Sequence, residues 1–389
     1  MLFPKKKIDS CNYNSYVSPV KSILEYCPEL KSRGDRPLKL TFKDQLNALL
    51  YFHLYEHESG RELIQELSEN EFARQCIAPD GGISRSSFSE AINNRGLEQL
   101  QFIFKELVKK AGSILPNEFS ELGELIAIDG SLIDACLSMY WADYRKGSKK
   151  AKGHFGFSIN QGIPTHVYLT DGNGAERPFV STILSPGQTG VMDRGYQCHD
   201  DFDLLQEEGK SFVCRIKELT TRTVLEKYHT SDDDFVFYDA KVLLGTHGVN
   251  QTKNPVRVVE YEVDDKKYYV ATDRFDLSAH QVAEVYKLRW SIESFFKWWK
   301  KSLKVYHLIA RSEYGLMVQM LAGLISYLLM AIYCHEEYGE KVTIKRIREL
   351  RTDIFNELCA GENSPSARKK VSKTKRNKKK KRKRSYAKT

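Results

Sequence analysis

The 389-residue sequence has no CxxC pair: its eight cysteines (Cys11, Cys27, Cys76, Cys136, Cys198, Cys214, Cys334 and Cys359) stand singly. Neither a disulfide framework nor a zinc site is therefore predicted, and reduced thiols are expected. No apolar stretch follows the charged start MLFPKKKIDS, so no secretory signal is read there and an intracellular, cytoplasmic and nucleoid-associated setting is expected. Acidic residues are missing from Arg368–Thr389, where 14 of 22 residues are Lys or Arg around KKKKRKR. Without that stretch the formal charge of +9 becomes 46 basic against 51 acidic residues, so any basic surface on the body is local. The stretch, with 362–367 before it, is predicted to be a disordered tail that either contacts polyanions without sequence preference or serves as a targeting signal. Charge is also absent from Gly315–Cys334, a run long enough to cross a bilayer. With Gln319 and Ser326 inside it, a buried core helix is the expectation, and no membrane partner or small-molecule substrate is predicted.

Apolar residues at three- and four-residue steps, as in DQLNALLYFHLY and LEQLQFIFKELVKKAG, predict a helical N-terminal domain over 1–118. Within it, GGISRSSFSEAINNRG reads as a turn, a Ser cap and a short helix exposing Arg85, Ser86, Ser87, Ser89 and Asn93. That segment fits a helix-turn-helix reader of DNA and equally a plain surface helix. From Glu121 the texture becomes β-rich: LIAIDGSLIDA, HFGFSINQ and PTHVYLTDGNG predict three adjacent strands. A helix over 176–184, a strand ending in VMDRGY, the helix DDFDLLQEEG and the strand SFVCRIKE follow, which predicts a mixed α/β layer. Residues 219–277 are strand-rich again, a long helix runs from about Ser278 to Leu303, and a C-terminal helix is expected over 346–361.

Phosphodiester chemistry without a protein nucleophile commonly uses two divalent ions about 3.5–4 Å apart, held by carboxylates on a rigid scaffold. Asp129 and Asp193 each end a predicted strand, where ligands of open α/β sheets gather, although Asp134, Asp171 and Asp273 occupy similar contexts. The long helix is more informative. Tyr286, Arg289, Glu293 and Lys300 fall at about 0°, −60°, −20° and −40° around its axis, with Lys297 close by. Val285, Leu288, Ile292, Phe295, Phe296, Trp299 and Leu303 collect on a separate face. A helix docked by that apolar face presents one carboxylate in a row of cations, which suits a metal beside phosphates; the bland alternative is a solvated amphipathic helix.

YKLRWSIESFFKWWK resembles, position for position, the Y-x2-R-x3-E-x6-K signature of bacterial insertion-sequence DDE transposases of the hairpin-forming, cut-and-paste group. IDGS and DRGY match that family's first and second aspartate motifs in the right order, and the likeness extends over roughly Lys39–Tyr338. The resemblance implies a ribonuclease H-like α/β core over 119–345, with 219–277 as its β-rich insertion. It implies that Asp129, Asp193 and Glu293 bind two Mg2+ ions, with Mn2+ able to substitute, and that Tyr286, Arg289 and Lys300 grip DNA. Lys297, Arg194, Arg215, Lys217 and Arg85 are further candidate DNA contacts. Relatives stack a flipped base on an aromatic of the insertion, typically Trp; this insertion contains none, and Tyr268 is the nearest candidate. The implied function is a DNA transposase, a homodimer on double-stranded DNA. It would bind terminal inverted repeats, excise the element by metal-dependent cleavage through a hairpin, and join it to target DNA. The alternatives are a ribonuclease H-like nuclease without strand transfer and a non-catalytic DNA-binding regulator.

Overall fold

The structure, a computed structural model, describes residues 10–30, 38, 40–79, 81–230, 235–302 and 307–361. The predicted tail at 362–389 and Leu303 of the apolar face lie outside the described residues.

Five helices open the chain: α1 (Cys11–Leu24), α2 (Phe42–Leu54), α3 (Gly60–Glu69), α4 (Arg85–Asn94) and α5 (Leu97–Ile114). Their starts are written in the sequence. Ser10, Thr41, Ser59 and Ser84 each accept a hydrogen bond from a first-turn N–H, and Thr41 forms a reciprocal capping box with Asp44. As expected, α4 exposes Arg85, Ser86 and Ser89. Asn93 departs from the expectation: it is half-buried, and its Oδ1 accepts from Ser312 Oγ at 2.6 Å, so it helps hold the start of a later helix.

The strands are β1 (Glu124–Asp134), β2 (Lys150–Ser158), β3 (Ile163–Asp171), β4 (Gln188–Met192), β5 (Ser211–Arg215), β6 (Arg222–Lys227), β7 (Val236–Leu244), β8 (Val256–Val263) and β9 (Lys266–Thr272). Helix α6 (Phe179–Ile183) precedes β4 and α7 (His199–Glu207) precedes β5. Helix α6 is shorter than expected, so Glu176 lies in the connection before it instead of on it. Nine strands form one sheet, in the order β3-β2-β1-β4-β5-β9-β8-β7-β6. The first three run antiparallel, β4 and β5 run parallel to β1, and β9 joins the edge of β5 antiparallel. The β-rich segment thus extends the same sheet through a four-strand meander.

Side chains alternate across the sheet, giving it two cores. Leu125, Ala127 and Val191 face the larger one, shared with the N-terminal helices, α8 (Ala279–Leu288), α9 (Trp290–Ser302) and α10 (Glu313–Tyr338). Ile126, Ile128 and Met192 face the smaller one, under α6 and α7. Helix α10 is long and apolar enough to cross a membrane, yet 89% of its apolar window is buried against α1, α2, α4, α5 and β3. Its polar groups find partners there: Gln319 donates to His307 O and accepts from Ile309 N, and the Ser326 and Tyr16 hydroxyls pair at 2.7 Å. The last helix, α11 (Ile344–Gly361), packs on α1.

The long helix expected from Ser278 to Leu303 is two helices, broken at Arg289. Arg289 N bonds to Tyr286 O and Ile292 N to Arg289 O, so both bonds span three residues instead of four and the chain tightens there.

Candidate active site

The ladder between parallel strands β1 and β4 ends at Ala127 opposite Val191. Asp129 and Asp193 each lie two residues beyond that pair; Asp193 follows the last residue of β4, whereas Asp129 does not end its strand as expected, because β1 runs on to Asp134 against β2. Both chains stay extended, so alternation turns both carboxylates toward the α8 and α9 face. Asp193 also caps the short turn Arg194–Tyr196, where its Oδ1 accepts from Gly195 N at 2.8 Å. Gly195 permits this approach, because a Cβ there would lie 3.0 Å from that oxygen.

Asp129 Oδ1 accepts from Gly130 N at 2.8 Å. Burial foremost, then the neighbouring Asp193 and Glu176 carboxylates, push the Asp129 carboxyl up to about 7, against the opposing pull of Arg289 and the Gly130 N–H. The guanidinium of Arg289 is buried between two acids, 3.7 Å from Asp129 Oδ2 and 2.7 Å from Glu293 Oε1. Burial works against the Arg289 charge, and Glu293, Tyr286 and Asp129 more than offset it. Burial lowers the affinity of Lys300 for its proton; Asp134 and Asp129 act the other way, and Lys150 adds to the lowering. Lys300 therefore sits in the same field as Asp129.

The structure brings Asp129, Asp193, Arg289, Glu293 and Lys300 together. Among the described residues, no group of three or more His, Cys, Asp or Glu side chains is near enough to hold a metal ion. Glu293 is separated from Asp129 by the guanidinium, which supplies the positive charge in this structure. Two carboxylates on one face, one of them with its proton affinity raised by burial, are hard oxygen donors of the kind Mg2+ takes. The donor chemistry of Asp129 and Asp193 fits a divalent cation, and the Arg289 guanidinium stands between Asp129 and Glu293.

The other predicted residues divide. Lys297, Arg194, Lys217 and Arg85 are exposed, Arg85 on α4, a helix held by α2, α3 and α10. Tyr286 is buried: its ring packs 6.1 Å from Tyr268 and the Arg289 guanidinium lies over it at 5.8 Å. Tyr268 is half-buried, stacked on Tyr261 at 5.2 Å and 11°, with Arg215 over its ring at 5.0 Å. Tyr269 points to the opposite face and donates to Glu218 at 2.9 Å. A chain of contacts thus runs from Tyr261 through Tyr268, Tyr286 and Arg289 to Asp129.

The competing aspartates prove to be braces. Asp134 pairs with Lys150 at 2.5 Å, Asp171 accepts from Asn173 N, and Asp273 accepts from Phe212 N. Two residues at the site escaped sequence reasoning. Trp290 is 51% exposed beside Arg289, 5.4 Å from its guanidinium, and its register next to Arg289 was the available signal. Glu176 has no local motif, and only the fold carries it to Gly130.

A large mixed sheet flanked by helices, with acidic side chains on neighbouring strands where their ladder stops and a buried arginine joining one of them to a third acid, defines a carboxylate-centred site on an α/β scaffold. Residues 121–329 match the family described as Transposase DDE domain, and the chain belongs to that family. It is 30% identical over 222 residues to a probable transposase for insertion sequence element IS5377 of Geobacillus stearothermophilus, covering 56% of this chain and 59% of that protein. It is 25% identical over 284 residues to a putative transposase for insertion sequence element IS4SA of Synechocystis, covering 70% of this chain and 78% of that protein. It is also 28% identical over 199 residues to the putative transposase y4zB of Sinorhizobium fredii, covering 49% and 56%.

Proposed function

We propose that this chain is a DNA transposase that binds the terminal inverted repeats of an insertion sequence, excises the element and joins it to target DNA. The observation that carries the reading is the placement of Asp129 and Asp193 on neighbouring strands just past the point where the β1–β4 ladder stops, with Arg289 linking Asp129 to Glu293, inside a transposase DDE domain. The strand order β3-β2-β1-β4-β5, with β4 and β5 parallel to β1, supports a ribonuclease H-like core. Asp129, Asp193 and Glu293 would hold divalent ions, two of Mg2+ or Mn2+ in this reading, which when bound would supply an activated oxygen nucleophile and offset charge on the leaving oxygen.

The protein's own residues orient and compensate charge. Asp129 and Asp193 hold fixed positions because backbone N–H groups of Gly130 and Gly195 pin one oxygen of each. Arg289 neutralises Asp129 and Glu293 before DNA arrives, and in the complex its fork can take a phosphate. Lys300, inside the same field, serves as a point charge for a neighbouring phosphate. Exposed Arg194, Lys217 and Lys297 extend the cationic rim, and α4 offers Arg85 and Ser86 to the duplex. The freed 3′-hydroxyl attacks the phosphodiester of the opposite strand, closing a hairpin as the flanking DNA leaves with its own 3′-hydroxyl; water reopens the hairpin and regenerates the element's 3′-hydroxyl before joining, and both ends are cut within a dimer on DNA.

The deciding experiment incubates purified protein, Mg2+ and an end-bearing duplex with a plasmid target. Joined products are expected. Hydrolysed ends without joining would reassign the protein as a nuclease.

A further inference from the structure

We propose that Glu176 is a positioning residue: it braces β1 and the turn after β4 from beneath, just past the point where their ladder stops, and so sets how Asp129 and Asp193 share a divalent cation. The inference rests on the cation-binding reading of those two aspartates.

Alternation places Gly130 on the opposite face of β1 from Asp129, toward the smaller core that holds Ile126 and Ile128. Glu176 occupies the space a side chain would fill there, since a Cβ on Gly130 would lie 2.7 Å from Glu176 Oε1 and 2.8 Å from its Cδ. No left-handed backbone is involved, so close approach is what the glycine of IDG provides. From that position the carboxylate reaches two elements. Lys152 Nζ, on β2, lies 3.1 Å from Oε1 and also donates to Gly174 O at 2.9 Å, which pins the connection carrying Glu176. Lys152 stands opposite Leu132 of β1, so this half of the brace belongs to the strand of Asp129.

The other half belongs to Asp193. The Tyr196 side chain, buried in the smaller core in the turn that Asp193 caps, lies close enough to the Glu176 carboxylate to interact with it. The phenol O–H donates and the carboxylate accepts. One carboxylate therefore connects a residue beside Asp129 with a residue three beyond Asp193. Groups that orient the ligands of a metal site typically change its affinity by about 10- to 100-fold when removed.

The test titrates Mn2+ alone into the full-length protein without DNA, reading free Mn2+ by electron paramagnetic resonance and melting temperature in parallel. Wild type should bind and Asp129→Ala should not; if wild type fails to bind, or Asp129→Ala binds equally, the underlying reading of the site falls. Given that control, Glu176→Ala, Tyr196→Phe and Gly130→Ala should each weaken Mn2+ binding by about tenfold. Glu176→Gln should stay near wild type, because Gln keeps the acceptor for Tyr196 and fills the same space. Wild-type affinity in Tyr196→Phe and Glu176→Ala, whatever their melting temperatures, would overturn the brace. So would a Gln variant as weak as Ala, which would make Glu176 a ligand. Should Glu176→Ala fail to fold, Tyr196→Phe alone decides, since it removes one hydroxyl.

Discussion

At the scale of single residues, the site is a balance of charge around Arg289. Removing a partner of a buried ion pair leaves an uncompensated charge, which costs about 3–5 kcal/mol when both are buried; Glu293 is partly exposed, so about 1–3 kcal/mol is expected for Arg289→Ala. Mg2+ should restore part of the lost melting temperature in that variant and change wild type less, because in the variant the cation replaces the missing guanidinium. A calorimetric series over Mg2+ concentration checks this, and equal Mg2+ effects on both proteins would count against a cation at Asp129. Tyr268 gives a second residue-scale prediction. Stacking of one base is worth about 1–3 kcal/mol, so Tyr268→Ala should spare the first nick and slow the hairpin step by roughly ten- to a hundredfold, with Tyr268→Trp near wild type. Because the ring already stacks on Tyr261 and carries Arg215, a base reaches it only by displacing one of them. If nick and hairpin fall together when the two products are quantified separately, Tyr268 is a packing residue. The aspartates were legible in the sequence because each follows an apolar β-rich run and has a glycine one or two residues on, in IDGS and DRGY. Glu176 was not, since its role comes from crossing Gly130 on the far face of the sheet, a relation that no spacing along the chain encodes.

At the scale of elements, the strands of the 219–277 segment were legible from alternation, but their docking was not. The periodicity of β9 says that it is a strand; only the ladder Val213 to Thr272 and Arg215 to Val270 says that it extends the sheet beside β5. The break at Arg289 was hidden for a similar reason, because helical spacing runs on unaltered through a single tightened turn. One buried contact fixes the docking. Arg257 of β8 forks onto Asp239 of β7 at 2.8 and 2.7 Å and donates to Leu277 O just before α8, so the meander and the helix leading to Arg289 share one anchor. Both side chains are buried, 8% and 6% exposed. Arg257→Ala should therefore destabilise by about 3–5 kcal/mol, while the double replacement Arg257→Met with Asp239→Leu should lie much nearer wild type, since it leaves no orphan charge. Denaturant unfolding distinguishes them, and a double variant as unstable as the single would show that the geometry of the fork, more than its charge, carries the docking.

At the scale of the whole molecule, the sequence showed a helical region, a mixed sheet and an apolar helix, but not that α10 joins them into one core. That helix packs on α1, α2, α4 and α5 as well as on β3, so the N-terminal helices and the sheet are held by a common element. Charge is segregated too, with 14 cations in the last 22 residues against a body of 46 basic and 51 acidic residues. Deleting Arg368–Thr389 should weaken binding to any DNA about equally and flatten its dependence on salt, as the loss of released counterions requires. An unchanged salt slope would remove the tail from DNA binding. The central claim is that Asp129, Asp193 and Glu293 do chemistry on DNA that other parts of the molecule hold. Its most direct measurement is cleavage of an end-bearing duplex by the three single Ala variants, with binding to the same duplex measured alongside. Cleavage lost in all three with binding kept is the predicted result; cleavage retained in any of them, or binding lost in all three, would contradict it.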